Sequence, residues 1–291
     1  MAADAGDAAG VAMPHREGVA SSHVSSGRLL FVAVAAALAC WTPAVSAQWP
    51  KYPTPRVPKD AAGRPNPDAP APRTADGRPD FSGLWRGITA PPGVRPRQPP
   101  PGPAIAVYRE VGQNLPDGLP VTPYGLDLLK QRLATDGRQN PQARCLPMGI
   151  VQLHLQGAPR KFVQTPAVTA ILYEAAGETR QIFTDGRTLP PPEAQPWWNG
   201  YSVGRWEGDD LVVTTTRFRD GGWLDLIGSP LTDAGTITER FRRPTFARME
   251  IDITVDDPKA YTRPFTVRVY QELMLDDALI EFVCENQRFT P

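Results

Sequence analysis

The 291-residue chain balances 31 Lys and Arg against 31 Asp and Glu. These charges are scattered rather than stacked, which argues against nucleic acid or a polyphosphate as a partner. No apolar run reaches the about 20 residues that a membrane-crossing helix requires, and the longest lies near the N-terminus.

That stretch comes first. Residues 29–39, LLFVAVAAALA, follow Arg28 and lead into small residues ending at Ala47, the pattern of a secretory signal occupying residues 1–47. The run is too short to span a bilayer and breaks at Pro43. The expectation is therefore an exported chain, periplasmic or secreted, with no membrane span once the signal is removed. Asp4, Asp7 and Glu17 before Arg28 leave open a translation start at Met13 rather than Met1. Cys40 opens a lipid-anchored alternative, although Ala37 stands where a lipoprotein signal usually carries Leu.

Residues 48–80 are so rich in proline that neither helix nor sheet can propagate, and they read as a linker of polyproline character able to reach an envelope partner. Residues 81–291 then form the main domain. Its first element, FSGLWRG at residues 81–87, docks through Trp85, and prolines return over residues 90–103. A helix is predicted over residues 122–135: Thr122 caps it, Pro123 suits its first turn, Leu126, Leu129 and Leu133 repeat at helical spacing, and Asp136-Gly137 ends it. Beyond Met148 the period changes to two. Short strands are read at 161–164, 168–173 and 180–184, and a one-sided strand in which Met249, Ile251, Ile253 and Val255 alternate with Glu250, Asp252 and Thr254. Another strand carries Phe265, Val267 and Val269, and a last one runs over 279–284. Seven to ten antiparallel strands in sequence imply a mainly β meander that closes as a barrel in preference to a sandwich. With Cys40 gone, Cys145 and Cys284 remain as an even pair in an oxidising compartment, and a disulfide between them is expected. It would close a loop of about 140 residues, for which chain entropy suggests on the order of 4 to 5 kcal/mol.

The densest stretch, WWNGYSVGRWEGDDLVVTTT at residues 197–216, reads as strand, turn, strand. If Trp206 faces Leu211, then Gly204 with Val213 and Ser202 with Thr215 share its face, and Trp206 belongs to the core. Glu207, Asp209 and Asp210 then sit at a hairpin tip, where solvent explains them better than calcium, which wants six or more oxygens. The opposite face carries Tyr201, Val203, Arg205, Val212 and Thr214. With Trp197, Trp198 and Asn199 at its entrance and Trp223 with Asp225 beyond, it can be assembled into an aromatic wall with polar handles. Such a wall suits either the mouth of a ligand site or a plug for the barrel's open end.

QIFTDGR, WNGYSVGRWEGDDLVV, GGWLD, ITERFRR, ITVDDPKAYTRPFTV and EFVCEN occur in that order. Together they resemble a large, uncharacterised family of exported bacterial proteins of environmental Gram-negatives, over roughly residues 76 to 287. The resemblance implies a calycin-like, lipocalin-like β-barrel and no particular activity. Two departures stand out: the family often shows His where this chain has Tyr201 and Arg205, and Pro-His where it has Pro230-Leu231.

Candidate chemistry is narrow. His154 is the only histidine after the signal, alternating with Val151, Leu153 and Leu155 and so expected on the polar face of a strand. A multi-histidine zinc site is thereby excluded, and neither a nucleophile elbow nor a phosphate-cradling or dinucleotide loop is present, so no cofactor or metal is expected. Glu239, between Ile237 and Phe241 on an apolar face, is either paired with a cation such as Arg240 or Arg242 or lines a cavity as an acid or base of raised pKa. Asp185 and Arg187 flank Gly186 in a turn, and Asp256-Asp257-Pro258 is a turn signature. Beside an envelope interaction module whose proline-rich linker reaches a partner, two functions follow. One is a barrel binding a small, partly apolar ligand through Trp198, Asn199, Tyr201, Arg205, Trp223, Asp225 and Arg187. The other is a metal-independent hydrolase, lyase or isomerase drawing on Glu239, Asp185, Tyr201 and Arg205, which requires those groups to converge.

Overall fold

The computed structural model describes residues 53–88, 90, 110–113 and 115–283. The expected signal segment, Cys40 and Cys284 lie outside the described residues. In chain order the elements are β1 (Gly83–Ile88), α1 (Pro123–Leu133), α2 (Ile150–Leu155), β2 (Arg160–Gln164), β3 (Val168–Tyr173), β4 (Thr179–Phe183), β5 (Tyr201–Glu207) and β6 (Asp210–Thr216). There follow β7 (Gly222–Trp223), β8 (Pro230–Leu231), β9 (Thr236–Thr245), β10 (Arg248–Asp256) and β11 (Phe265–Met274).

β1, β2, β3, β4, β5, β6, β9, β10 and β11 form a closed ring in chain order, with β11 pairing back to β1. This is the expected mainly β, calycin-like barrel, with one consequence the meander alone does not suggest. A ring with an odd number of strands cannot alternate direction throughout, so one neighbouring pair has to run parallel. That pair is β4 and β5, joined only at Ile182 with Ser202 and Phe183 with Val203. Residues 184–200 make the long return that a parallel pair needs. β1, expected merely to dock, is the strand that closes the ring, with Trp85 fully buried.

Alternation sorts the strand residues. On β9, Ile237, Glu239 and Phe241 point inward and Arg240 and Arg242 outward; on β10, Met249, Ile251, Ile253 and Val255 fill the interior. The β5 and β6 register is the expected one, with Trp206 opposite Leu211 and Ser202 opposite Thr215. Ser202 and Thr215 are buried, and Trp206 packs against the core by stacking on Phe81 at 5.8 Å.

His154 and its neighbours depart from expectation. Residues 150–155 form α2, not a strand, and every one of them is buried. An element buried all round shows no amphipathic period, which is why alternation misread it. Gly149, at φ +96, starts the helix in a conformation that L side chains rarely adopt. Arg160 closes its other end by donating to the carbonyls of Gln156 at 2.5 Å, Ala158 at 2.8 Å and His154 at 3.4 Å, as cations do at helix C-termini. Ile150, Val151, Leu153 and Leu155 each contribute about 1.5 to 3 kcal/mol of burial, so α2 is a permanent part of the core.

The proline-rich stretch also differs from a free linker. From Pro53 it folds onto the barrel through two copies of one turn. In the first, Asp60 N donates to Arg64 O and Gly63 N to Asp60 O; in the second, Thr74 N donates to Arg78 O and Gly77 N to Thr74 O. The repeated G-R-P supplies the left-handed glycine and then a residue without a donor. The strap is pinned where Phe246 N donates to Ala69 O, where Arg73 pairs with Asp209, and where Thr54 and Asp276 exchange hydrogen bonds. Polyproline composition forbids ladders, but it does not forbid docking.

Two smaller corrections follow. α1 begins as expected, Thr122 Oγ1 accepting from Gly125 N at 3.0 Å, but Gly125 and Arg132 face inward and Leu126 and Leu133 are exposed. Arg132 is drawn in because its guanidinium donates to the carbonyls of Gly222 and Gly228, both at 3.0 Å, and lies over the Trp223 ring. Residues 279–283 carry the apolar pattern of a strand but join no strand among the described residues, Ile280 N donating instead to Glu174 Oε2 at 3.1 Å.

Candidate functional site

The barrel interior holds a charged cluster. Glu239, at 0% exposure, receives Arg180 Nη1 at 2.9 Å and a second contact from Arg180 Nη2. Its Oε1 also lies 3.0 Å from His154 Nε2. Arg180 further donates to Ser202 Oγ and Thr215 Oγ1 at 3.1 Å each. The partner of Glu239 is thus Arg180 of β4 and not Arg240 or Arg242, whose positions on the same strand turn them outward. Burial alone would raise the Glu239 carboxyl, but the Arg180 guanidinium and the His154 hydrogen bond hold it down at about 2. Burial pushes His154 below its ordinary 6.5 against the pull of Glu239. A neutral imidazole facing a carboxylate through Nε2 carries its proton there, leaving Nδ1 as a bare acceptor. The cluster is closed to solvent and acts as a core polar network.

The candidate residues do not assemble into one wall. Trp223 and Asp225 belong to a buried loop knot. Asp225, 1% exposed, accepts from Val111 N and Ser229 N at 2.9 Å, Ser229 Oγ at 2.7 Å and Gly228 N at 3.1 Å. Trp223 is 3% exposed beneath Arg132. Both are removed from ligand contact because GGWLD builds a loop rather than a mouth. Asp257, in the DDP turn, does the same for Thr232, receiving its N at 2.6 Å and Oγ1 at 2.9 Å. Arg205 faces outward and is engaged by Glu207. The acids at the hairpin tip are likewise taken by arginines, Glu207 and Asp210 by Arg240 and Asp209 by Arg73. Glu239 inside and Asp185, Tyr201 and Arg205 outside stand on opposite faces of the sheet, so the acid–base set does not converge.

What does converge lies on the outer wall at the parallel seam. Phe183 and Tyr201 stack with ring centroids 5.2 Å apart, and Trp197 lies 5.2 Å beyond Tyr201 at a tilt of 51°. Arg187 sits 3.7 Å over the Phe183 ring, donates to the Tyr201 hydroxyl at 2.9 Å and forks onto Asp185 at 2.6 to 3.0 Å. The Arg187 hydrogen bonds hold the Asp185 carboxyl below its ordinary range. Trp197 is 41% exposed, although its backbone is clamped: its N donates to Arg217 O, and Arg219 N donates to its carbonyl. Gly200 lets the turn lie flat, since a Cβ there would come within 2.6 Å of Thr215 and 2.7 Å of Phe218. Trp198 is covered by Arg219, 5.3 Å from its ring.

Because β4 and β5 pair at only two positions, their starting ends part company, and Glu178 and Asn199 bridge the gap. Asn199 Nδ2 donates to Glu178 Oε2 at 2.6 Å, and Met148 N donates to Glu178 Oε1 at 2.5 Å. Burial raises the Glu178 carboxyl against these two donors. Asn199 Oδ1 is buried without a partner. Glu178 also lines a notch of about 70 Å³ with Gln142, Cys145, Leu146, Pro147, Ala176 and Phe282. Tyr201 and Arg187 are therefore brought together on Phe183, while Asn199, two residues before Tyr201, is held by Glu178; Phe183 and Glu178 are not among the residues that the sequence singles out. Phe183 was legible in principle, since it alternates with Ile182 and Arg180. Glu178, outside any periodic run, was not.

No family model, curated protein or solved structure matches this chain. The seam gathers three rings, a guanidinium and a carboxylate on the outer wall, and the functional reading rests on its geometry.

Proposed function

We propose that this chain is an exported binding protein that engages a partly apolar ligand on the outer wall of its barrel, along Trp197, Tyr201 and Phe183. One observation carries the reading: three rings and a guanidinium form a chain of contacts on the solvent side of the sheet, on a backbone held by Arg217 and Arg219. Rings in such an array offer area at little entropic cost, and Asp185, Arg187 and Asn199 supply orienting polar groups. The interior is an unfavourable alternative, because α2 and the Glu239 cluster fill it. Among the described residues no helix is long and apolar enough to cross a membrane, which is compatible with the reading. Export would be accompanied by a bridge between Cys145 and Cys284. Phe282 lines the same notch as Cys145, an observation that supports the reading.

Intrinsic tryptophan fluorescence, titrated with a metabolite panel, tests the proposal. A saturable change that disappears in W197A supports an outer-wall site. A change that survives W197A but disappears when interior residues are altered places binding elsewhere and overturns it.

A further inference from the structure

The chemistry of the seam narrows the ligand. A convex wall cannot envelop a compact molecule, and small-molecule sites are concave, so a ligand laid over Trp197, Tyr201 and Phe183 has to be extended. The charges beside it cancel: Asp185 and Arg187 form a forked pair, and Arg187 has its remaining donor on the Tyr201 hydroxyl. The pair therefore attracts neither an anion nor a cation. The groups with spare capacity are acceptors. Asn199 Oδ1 is buried and unpartnered, and each Glu178 oxygen, holding one donor, keeps a second lone pair. The ligand must bring donors to them. Next to these acceptors the notch is lined by Leu146, Pro147, Ala176 and Phe282, and its volume of about 70 Å³ admits a substituent and not a whole sugar ring.

Extended, neutral, with hydrogen-bond donors and C–H faces for aromatic rings: these properties together describe a glycan strand. We infer that the seam binds a neutral glycan whose rings lie along Trp197, Tyr201 and Phe183, with an acetamido substituent in the notch, its methyl among the apolar residues and its N–H toward Glu178 and Asn199. This assignment rests on the outer-wall reading above and adds the ligand class to it.

The experiment uses the full chain without residues 1–47 and defined probes: chitohexaose, cellohexaose, decaproline and spermidine, each followed by tryptophan fluorescence and calorimetry. Chitohexaose is expected to bind most tightly, about tenfold ahead of cellohexaose, and W197A is expected to weaken it by a further factor of about ten, the scale of one lost ring contact with its buried area. Because Trp197 is exposed, a thermal melt of W197A should match the parent and exclude misfolding. Equal binding of the two sugars would overturn the acetamido assignment. Binding of decaproline or spermidine alone, lost in W197A, would overturn the glycan class and leave the outer-wall site standing. Silence from every probe, or responses that W197A leaves unchanged, would overturn the glycan inference; only the metabolite panel then decides the outer-wall reading.

Discussion

Two arginine–carboxylate pairs flank the same short seam and behave as opposites. Arg180 with Glu239 points into the barrel, where both carboxylate oxygens meet donors and the pair is buried from solvent. Arg187 with Asp185 points out, half-exposed, and shares its guanidinium with a ring and a hydroxyl. The inner pair is held by what surrounds it, and removing one member strands a charge. The outer pair is held by itself, and solvent replaces whatever is lost. A forked ion pair thus fixes a core in one place and stays on a solvent-facing surface in the other, the difference being desolvation rather than geometry.

The largest effect should come from breaking the inner pair. Glu239→Ala leaves Arg180 buried and uncompensated, and is expected to destabilise the fold by about 3 to 5 kcal/mol in urea or thermal unfolding. Replacing both members with apolar residues should recover much of that loss. If Glu239→Ala alone is nearly neutral, the interior is wet and the contrast with the outer wall fails.

Acid sharpens the contrast next. His154 is held neutral below its ordinary 6.5, so on acidification the unfolded chain takes up that proton first and stability falls as pH drops through 6.5. Glu239, held at about 2, adds a second loss as pH drops from its ordinary 4.5 toward 2. Each step can reach a slope of about 1.4 kcal/mol per pH unit while only the unfolded state binds the proton. In His154→Asn the upper limb of the stability profile should vanish while the lower one persists. A profile flat between pH 7 and 5 in the parent would contradict the burial of His154.

Smaller is the cap on α1, where Thr122→Ala should lose about 1 kcal/mol by freeing Gly125 N. Smallest is the outer pair itself: Asp185→Ala should leave stability nearly unchanged in the same unfolding assay, because solvent screens the pair, yet should disturb the proposed binding at the seam by releasing Arg187 from its fork. An effect as large as that of Glu239→Ala would mean the outer pair is structural, and the seam would lose its claim as a recognition surface.

Much of this was legible along the chain. The strands of β9, β10 and β11 announce themselves by strict alternation, and with them the inward position of Glu239; the β5–β6 register follows from matching Trp206 to Leu211; Thr122 and Pro123 mark the start of α1. These are local properties, since a residue's face on a strand depends only on its parity. The failures share one cause. α2 is buried on every side and so carries no face to detect, the proline-rich strap hides two docked turns behind a composition that only excludes ladders, and Trp223 and Asp225 look like a wall until their partners at Arg132 and Ser229 are known.

The sequence by itself determined that the chain would alternate into a barrel and which strand residues would turn inward, because backbone pleat and hydrophobic burial act on neighbours a few positions apart. Only the tertiary structure decided that the ring holds an odd number of strands, that Arg180 rather than Arg240 meets Glu239, and that the rings gather at the parallel seam. Those outcomes depend on which strands become neighbours on closure, and the free energy that selects them comes from contacts between residues tens of positions apart.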